Sequence, residues 1–310
     1  MRLTNSGKWI PCADSFSTID SFTMKMWLDS LLVERLEQKT KYVFELVENA
    51  QGSWEEAFYQ SVARSFGLKS NALPFELLAK TTPLKVLAKH KDNLFQIEAL
   101  LFGQSGLLSA VKADNGYASN LIKEYKYLQH KFNLTSIEGH LWKFLRMRPT
   151  AFPTIRIAQF AKLVHNSTSL FSKIIEICDI KEIVNLFQVD VSEYWETHYV
   201  FGKESISTEK RIGKDTISIV AINSIVPFMF AYGVSKGNNS LKDKAVKLLE
   251  SIKPESNSIT KGFEGLGVKA DSAYDTQAMI HLKTCYCEPK KCLYCHLGAK
   301  LLLKSGSILE

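Results

Sequence analysis

Four thiols lie within eleven residues at CYCEPKKCLYC, the stretch from Cys285 to Cys295. Cys285, Cys287, Cys292 and Cys295 follow the spacing C-x-C-x4-C-x2-C, in a chain with six cysteines in all. Thiolates are soft, anionic ligands, and the two-residue gap between Cys292 and Cys295 lets two of them reach one ion from a tight turn. Glu288, Pro289, Lys290 and Lys291 suit a turn between the pairs, and the two lysines favour thiolate over thiol. Zinc and an iron–sulfur cluster both accept four thiolates, and spacing alone does not separate them. The alternative is a set of reduced thiols on a helix and turn with no metal. His296 adjoins Cys295 and points elsewhere on this reading.

A second group of chemistry-bearing residues is Arg146, Arg148 and Arg156, set around Pro149 and Pro153. Guanidinium forks match phosphate oxygens, so the strip is a candidate nucleic-acid contact. The competing reading is structural, with the arginines closing helix ends or pairing with an internal carboxylate such as Glu98. The net charge of +7 permits a polyanionic partner without demanding one.

No catalytic residue is assigned. GFEGLG (Gly262–Gly267) has neither a preceding strand nor the lysine of a phosphate loop and reads as a turn-rich loop. His198 in YWETHY reads as a packed histidine among aromatics. Asp271, Ser272 and Asp275 read as a helix start. No Ser-His-Asp order, HExxH, Walker A or paired-carboxylate pattern stands out.

The elements that must position these residues are helical. Apolar residues recur at helical spacing from Ile19 to Asn49, and Ser53 with Glu56 fits a helix cap closed by Gly67. Further helices are expected from Pro74, from Asp92 to about Gly103, over Tyr117–Phe132, Ile155–Val164, 168–177, 180–187, Ser192–Tyr199, Leu241–Ile252 and Ser272–Leu282. The last of these delivers the chain into the cysteines. ISIVAI is the one stretch β-branched enough to compete as a strand. It opens an apolar run, Ile217–Val234, long enough to raise a membrane span. Asn223, Ser224 and Pro227 interrupt that run and favour a core helix, so no membrane partner is expected. The N-terminus lacks an apolar signal-peptide core, which makes the reducing cytoplasm the default compartment and metal a better use of clustered thiols than disulfides. The expected fold is all-α and multi-helical. One subdomain spans residues 1–148 and a second spans 149–310, which carries a cysteine knuckle at 285–296.

Several long stretches carry a family resemblance: WEEAFYQSVARSFGLKSN, EALLFGQSGLL, LRMRPTAFPTIRIAQFA, INSIVPFMFAYG and DSAYDTQAMIHLKTCYCEPKKCLYC. Together they resemble the bacterial "domain of unknown function 2851" family, typical of the Bacteroidetes lineage, over essentially the whole chain. The resemblance implies a context and not a reaction. Longer members carry an upstream region similar to restriction-endonuclease-like nucleases, and this chain reads as the helical part that comes after it. The chain departs from the family in having Ala151 where Asn is usual. The recurrent thiols of the resemblance are Cys287, Cys292 and Cys295, which leaves the fourth ligand between Cys285 and Cys12 of WIPC. A Cys12 ligand would tie the start of the chain to its end. The resemblance and the thiols together imply a zinc- or cluster-stapled helical module of a nucleic-acid-associated protein. The alternative is an interaction module with a purely structural zinc.

Overall fold

The computed structural model describes residues 7–111, 116–177 and 179–304. Its elements are helices apart from one antiparallel pair, His198–Val200 with Lys203–Glu204, among the described residues. The all-α expectation therefore holds. The chain divides into two compact units. One combines Met1–Tyr42 with Phe230–Glu310, and the other is Val43–Met229. The expected boundary between residues 148 and 149 falls inside the second unit instead. The Pro149–Pro153 stretch is a 3-10 turn, Pro149–Ala151, that runs straight into the helix Pro153–Asn166. A proline at the first helical position supports such a start rather than a linker.

The second unit is built on aromatic packing. Phe58, Phe66, Phe75, Phe102, Phe160 and Trp195 are fully buried in it, each worth on the order of 2 kcal/mol of transfer free energy. Helices Trp54–Phe66 and Pro153–Asn166 meet through Phe66 and Phe160, whose rings lie 5.2 Å apart. Gly103 sets the fit of helix Gly116–Phe132 on helix Leu94–Gln104, because a Cβ there would sit 2.1 Å from the Tyr125 ring. That close approach brings Tyr117 beside Glu98. The Ser53 cap is present, with its hydroxyl accepting from the Glu56 N–H at 3.2 Å.

ISIVAI is helical, not a strand. Helix Lys214–Val220 passes through a π turn, Ala221–Ile225, into helix Val226–Ser235. Pro227 brings no N–H to a helical ladder, and the widened turn just before it accommodates the gap. The turn also presents Ser224, which donates to the Ser61 carbonyl at 2.9 Å and shares its hydroxyl with Ser61 and Ser65. Asn223 is exposed and donates back to the Ile219 carbonyl at 3.1 Å. Lys214–Ser235 is the one helix among the described residues apolar and long enough to cross a membrane, and 72% of its apolar window is buried in the protein. That burial fits a core helix.

In the first unit, Leu28, Leu31, Leu32 and Leu36 form the buried stripe of helix Ser21–Asn49. Helices Asn239–Ser251, Ser258–Glu264, Ala273–His281 and His296–Lys304 complete the unit. The stretch expected as the GFEGLG loop is helical over its first half, because Asn257 caps helix Ser258–Glu264 with a reciprocal Thr260 bond.

Candidate thiolate centre

The knuckle is positioned by a helix that changes pitch. Asp275 accepts from the Asp271 and Ser272 N–H groups at 2.9 and 3.2 Å, which fixes the start of helix Ala273–His281. Past His281 the ladder widens into a π turn, Leu282–Cys287. A π turn re-aims the side chains beyond it, and here it carries Cys285 and Cys287. Lys290 then adopts a left-handed conformation, φ 55°, and the Lys291 N–H returns to the Tyr286 carbonyl at 2.8 Å. The Cys295 N–H reaches the Lys291 and Cys292 carbonyls at 3.1 and 3.3 Å, closing the Cys292–Cys295 turn onto helix His296–Lys304. Gly298 admits this approach, since a Cβ on it would stand 2.4 Å from the Cys292 carbonyl oxygen.

The N-terminal segment is clamped against the same helices. Trp9 lies edge-on to Phe263, with ring centroids 5.0 Å apart, and rests over Gly262. Lys283 donates to the Trp9 carbonyl at 2.8 Å and sits 5.0 Å from its ring centroid. Three residues on, Cys12 precedes the 3-10 turn Ala13–Thr18 and is buried together with Ile10 and Phe16. A Cβ on Gly262 would fall 2.3 Å from the Trp9 ring. Gly262→Ala is therefore expected to cost about 1–3 kcal/mol by overpacking. Urea denaturation followed by tryptophan emission would show it as a lower midpoint.

Cys12, Cys287, Cys292 and Cys295 are within electrostatic reach of one another. Burial, then the neighbouring Cys295 and Cys292, pushes the Cys12 thiol up to about 12. Burial and Cys12, with Cys295 and Cys292 adding less, drive Cys287 higher still, while Lys283 works in the opposite direction. Burial also raises Cys292 and Cys295. Cys12, Cys292 and Cys295 are buried and Cys287 is half-buried, and thiols whose pKa is raised by burial stay protonated unless a cation replaces the protons. The Cys295 sulfur is met by the Leu297 and Gly298 N–H groups at the start of the next helix and by the Trp27 indole. The Trp27 Nε1 is buried and forms no bond of ordinary hydrogen-bond geometry. An orphaned donor facing a sulfur is the kind of outer contact that thiolate ligands use. Among the described residues, no group of three or more His, Cys, Asp or Glu side chains stands out as able to hold a metal ion.

Cys285 lies apart from this set. Its sulfur is 3.5 Å from His281 Nδ1 and 3.7 Å from the Thr284 hydroxyl, and no interaction links it to Cys12. His281 is buried, its Nε2 lies 3.3 Å from Glu34 Oε1, and burial lowers its pKa. His296 is exposed and faces the Trp27 ring at 5.9 Å. Sequence spacing groups Cys285 with its neighbours, whereas in the π turn its sulfur sits beside His281 and Thr284.

The arginine strip divides. Arg146 and Arg148 are exposed. Arg156 is buried, donating to Gln159 Oε1 at 3.2 Å and to the Thr216 hydroxyl at 2.9 Å, and burial lowers its pKa to about 10. An inward guanidinium does not present itself to a polyanion. Glu98 is not an arginine partner either: its oxygens accept from Tyr117 at 2.9 Å and Ser192 at 2.7 Å. His198 is the packed residue expected, stacked 4.0 Å from Tyr194 with Nδ1 3.0 Å from the Tyr194 carbonyl.

The family described as "Protein of unknown function (DUF2851)" matches residues 1–258. The chain belongs to the DUF2851 family. Within it, Cys12 and the three arginines fall inside the matched span, and the knuckle at Cys285–Cys295 lies beyond it. No curated protein and no solved structure matches the chain. The DUF2851 match carries no reaction, so any function has to be argued from the site.

Proposed function

We propose that this DUF2851 chain is a helical module fastened by a thiolate-bound iron–sulfur cluster on Cys12, Cys287, Cys292 and Cys295, acting in a nucleic-acid-associated protein. The observation that carries the staple is the mutual approach of one remote thiol and three clustered ones, with Lys283, two backbone N–H groups and the Trp27 indole facing them. A zinc ion would need four sulfurs about 2.3 Å from one centre. An iron–sulfur cluster also takes four thiolates, around a wider frame than a single ion. Metal analysis with an absorption spectrum on anaerobically purified protein is the test. A brown, iron- and sulfide-containing protein supports the cluster. A colourless protein with one zinc per chain returns the site to a structural zinc, and a folded protein free of metal removes the staple.

Nucleic acid as partner rests on the net charge of +7 and on exposed Arg146 and Arg148. Arg146→Ala and Arg148→Ala are each expected to reduce the salt slope of DNA binding by about one. Arg156→Met should leave binding unchanged, and its stability should be neutral or improved because a buried charge is replaced at similar volume. Fluorescence anisotropy at several salt concentrations reads all three. Absent binding, or binding indifferent to salt, removes the nucleic-acid part and leaves the staple standing.

A further inference from the structure

In the second unit an open cleft of about 700 Å³ lies between the start of helix Leu94–Gln104, Tyr117 of helix Gly116–Phe132 and the short helix Glu193–Glu196. Its volume is in the range of small-molecule sites. Leu94, Phe95 and Tyr117 give it an apolar wall. Glu98 forms part of its lining, and Glu193 and Glu196 stand exposed at its rim. Among the described residues no Lys, Arg or His lines it, although the chain as a whole carries +7.

Glu98 is the unusual group. It is only 2% exposed, yet among the described residues no cation comes within ion-pair distance of it. Lys162 reaches it only as a more distant charge. Its carboxylate is held rigidly from two elements. The Tyr117 hydroxyl donates to one oxygen and Ser192 to the other, and Trp195 Nε1 in turn donates to the Tyr117 oxygen at 3.2 Å. A preorganised carboxylate without a counter-charge is costly to bury, and a cation brought in from solution would supply the charge that the fold omits. The aromatic and aliphatic wall beside it suits an apolar body, with ring faces adding cation–π attraction.

We infer that this cleft binds an organic cation, a protonated amine with an apolar body, its ammonium held among Glu98, Glu193 and Glu196. The site is independent of the thiolate centre and of nucleic-acid binding. Calorimetric titration of the full-length protein with 2-phenylethylamine, 3-phenylpropan-1-ol and 3-phenylpropionate separates charge from apolar contact. The amine should bind at least about tenfold tighter than the alcohol, and the acid should not bind measurably. Glu98→Gln keeps size and hydrogen-bonding shape and should weaken the amine by about tenfold or more, with the alcohol unaffected. The rim double variant Glu193→Gln/Glu196→Gln, at exposed positions that do not threaten folding, should weaken it several-fold. Equal binding of amine and alcohol, indifference to both sets of variants, or no binding of the amine to the folded protein would overturn the inference.

Discussion

Replacing Cys12 or Cys292 by serine is expected to abolish metal or cluster retention and lower the melting temperature by more than about 10 °C, whereas Cys285→Ser should change neither. The contrast comes from the geometry. Burial, then Cys295 and Cys292, raises Cys12, and burial, then Cys295, raises Cys292, while Cys285 turns to His281. A structural metal contributes on the order of 10 kcal/mol of folding free energy, because an unfolded chain offers no preformed site. The proposed staple would join segments far apart in sequence, so it would also remove loop-closure entropy from the unfolded state, although that contribution grows slowly with loop length. Loss of one thiolate should release the Trp9–Phe16 segment first, because it is otherwise held by the packing of Ile10 and of Trp9 and Phe16 on Phe263 and by the Lys283 bond to the Trp9 carbonyl. Limited proteolysis distinguishes the outcomes. New cleavage near residue 12 is expected in Cys12→Ser and Cys292→Ser and none in Cys285→Ser. Equal effects of all three variants would place the fourth ligand back at Cys285 or dissolve the site into ordinary packing.

The helical architecture is legible in the sequence because it is local. Apolar spacing over Leu28, Leu31, Leu32 and Leu36 and the caps at Ser53 and Ser272 act within a turn or two of themselves. Three of the four thiols proposed as ligands are also visible as a cluster. The fourth, Cys12, would require a contact between the first and last segments. No spacing rule reports such a contact, and Cys12 enters only through the family resemblance. Trp27 and Lys283 cannot be found this way, because an indole donor and an inward lysine leave no pattern in a single sequence. Arg156 misleads for a related reason. Its neighbours Arg146 and Arg148 suggest a surface strip, but position 156 falls on the buried face of the Pro153–Asn166 helix beside Ile155 and Ile157. The prolines at 149 and 153 read as a linker in the sequence, whereas Pro149 opens a 3-10 turn and Pro153 a helix. The apolar run at Ile217–Val234 is a core helix, as its interruptions suggest, and Ser224 marks the point where the π turn reaches across to Ser61 and Ser65.

Glu98 gives the second large effect, through pH. Burial raises its pKa to about 7 from an ordinary 4.5, against the opposing pull of Ser192, Tyr117 and Lys162. Below the ordinary value both folded and unfolded chains hold the proton, and this group has no influence. As pH rises from there to about 7, the unfolded chain ionises while the folded one retains its proton, so stability falls. Above about 7 the penalty is constant. With about 1.4 kcal/mol per pKa unit, the loss from this group is on the order of 3–4 kcal/mol as an upper figure. Glu98→Gln removes the titrating group, so the stability of the variant relative to wild type should climb by roughly 2–3 kcal/mol between pH 5 and pH 8. Urea denaturation of the two proteins across that range measures it, and parallel curves would show that Glu98 ionises in the folded protein as it does in water. An amine bound in the cleft would stabilise the ionised carboxylate and pull its pKa down. The same experiment with 2-phenylethylamine present should therefore flatten the difference between the two proteins. That flattening links the buried carboxylate's titration to the cation it is inferred to receive.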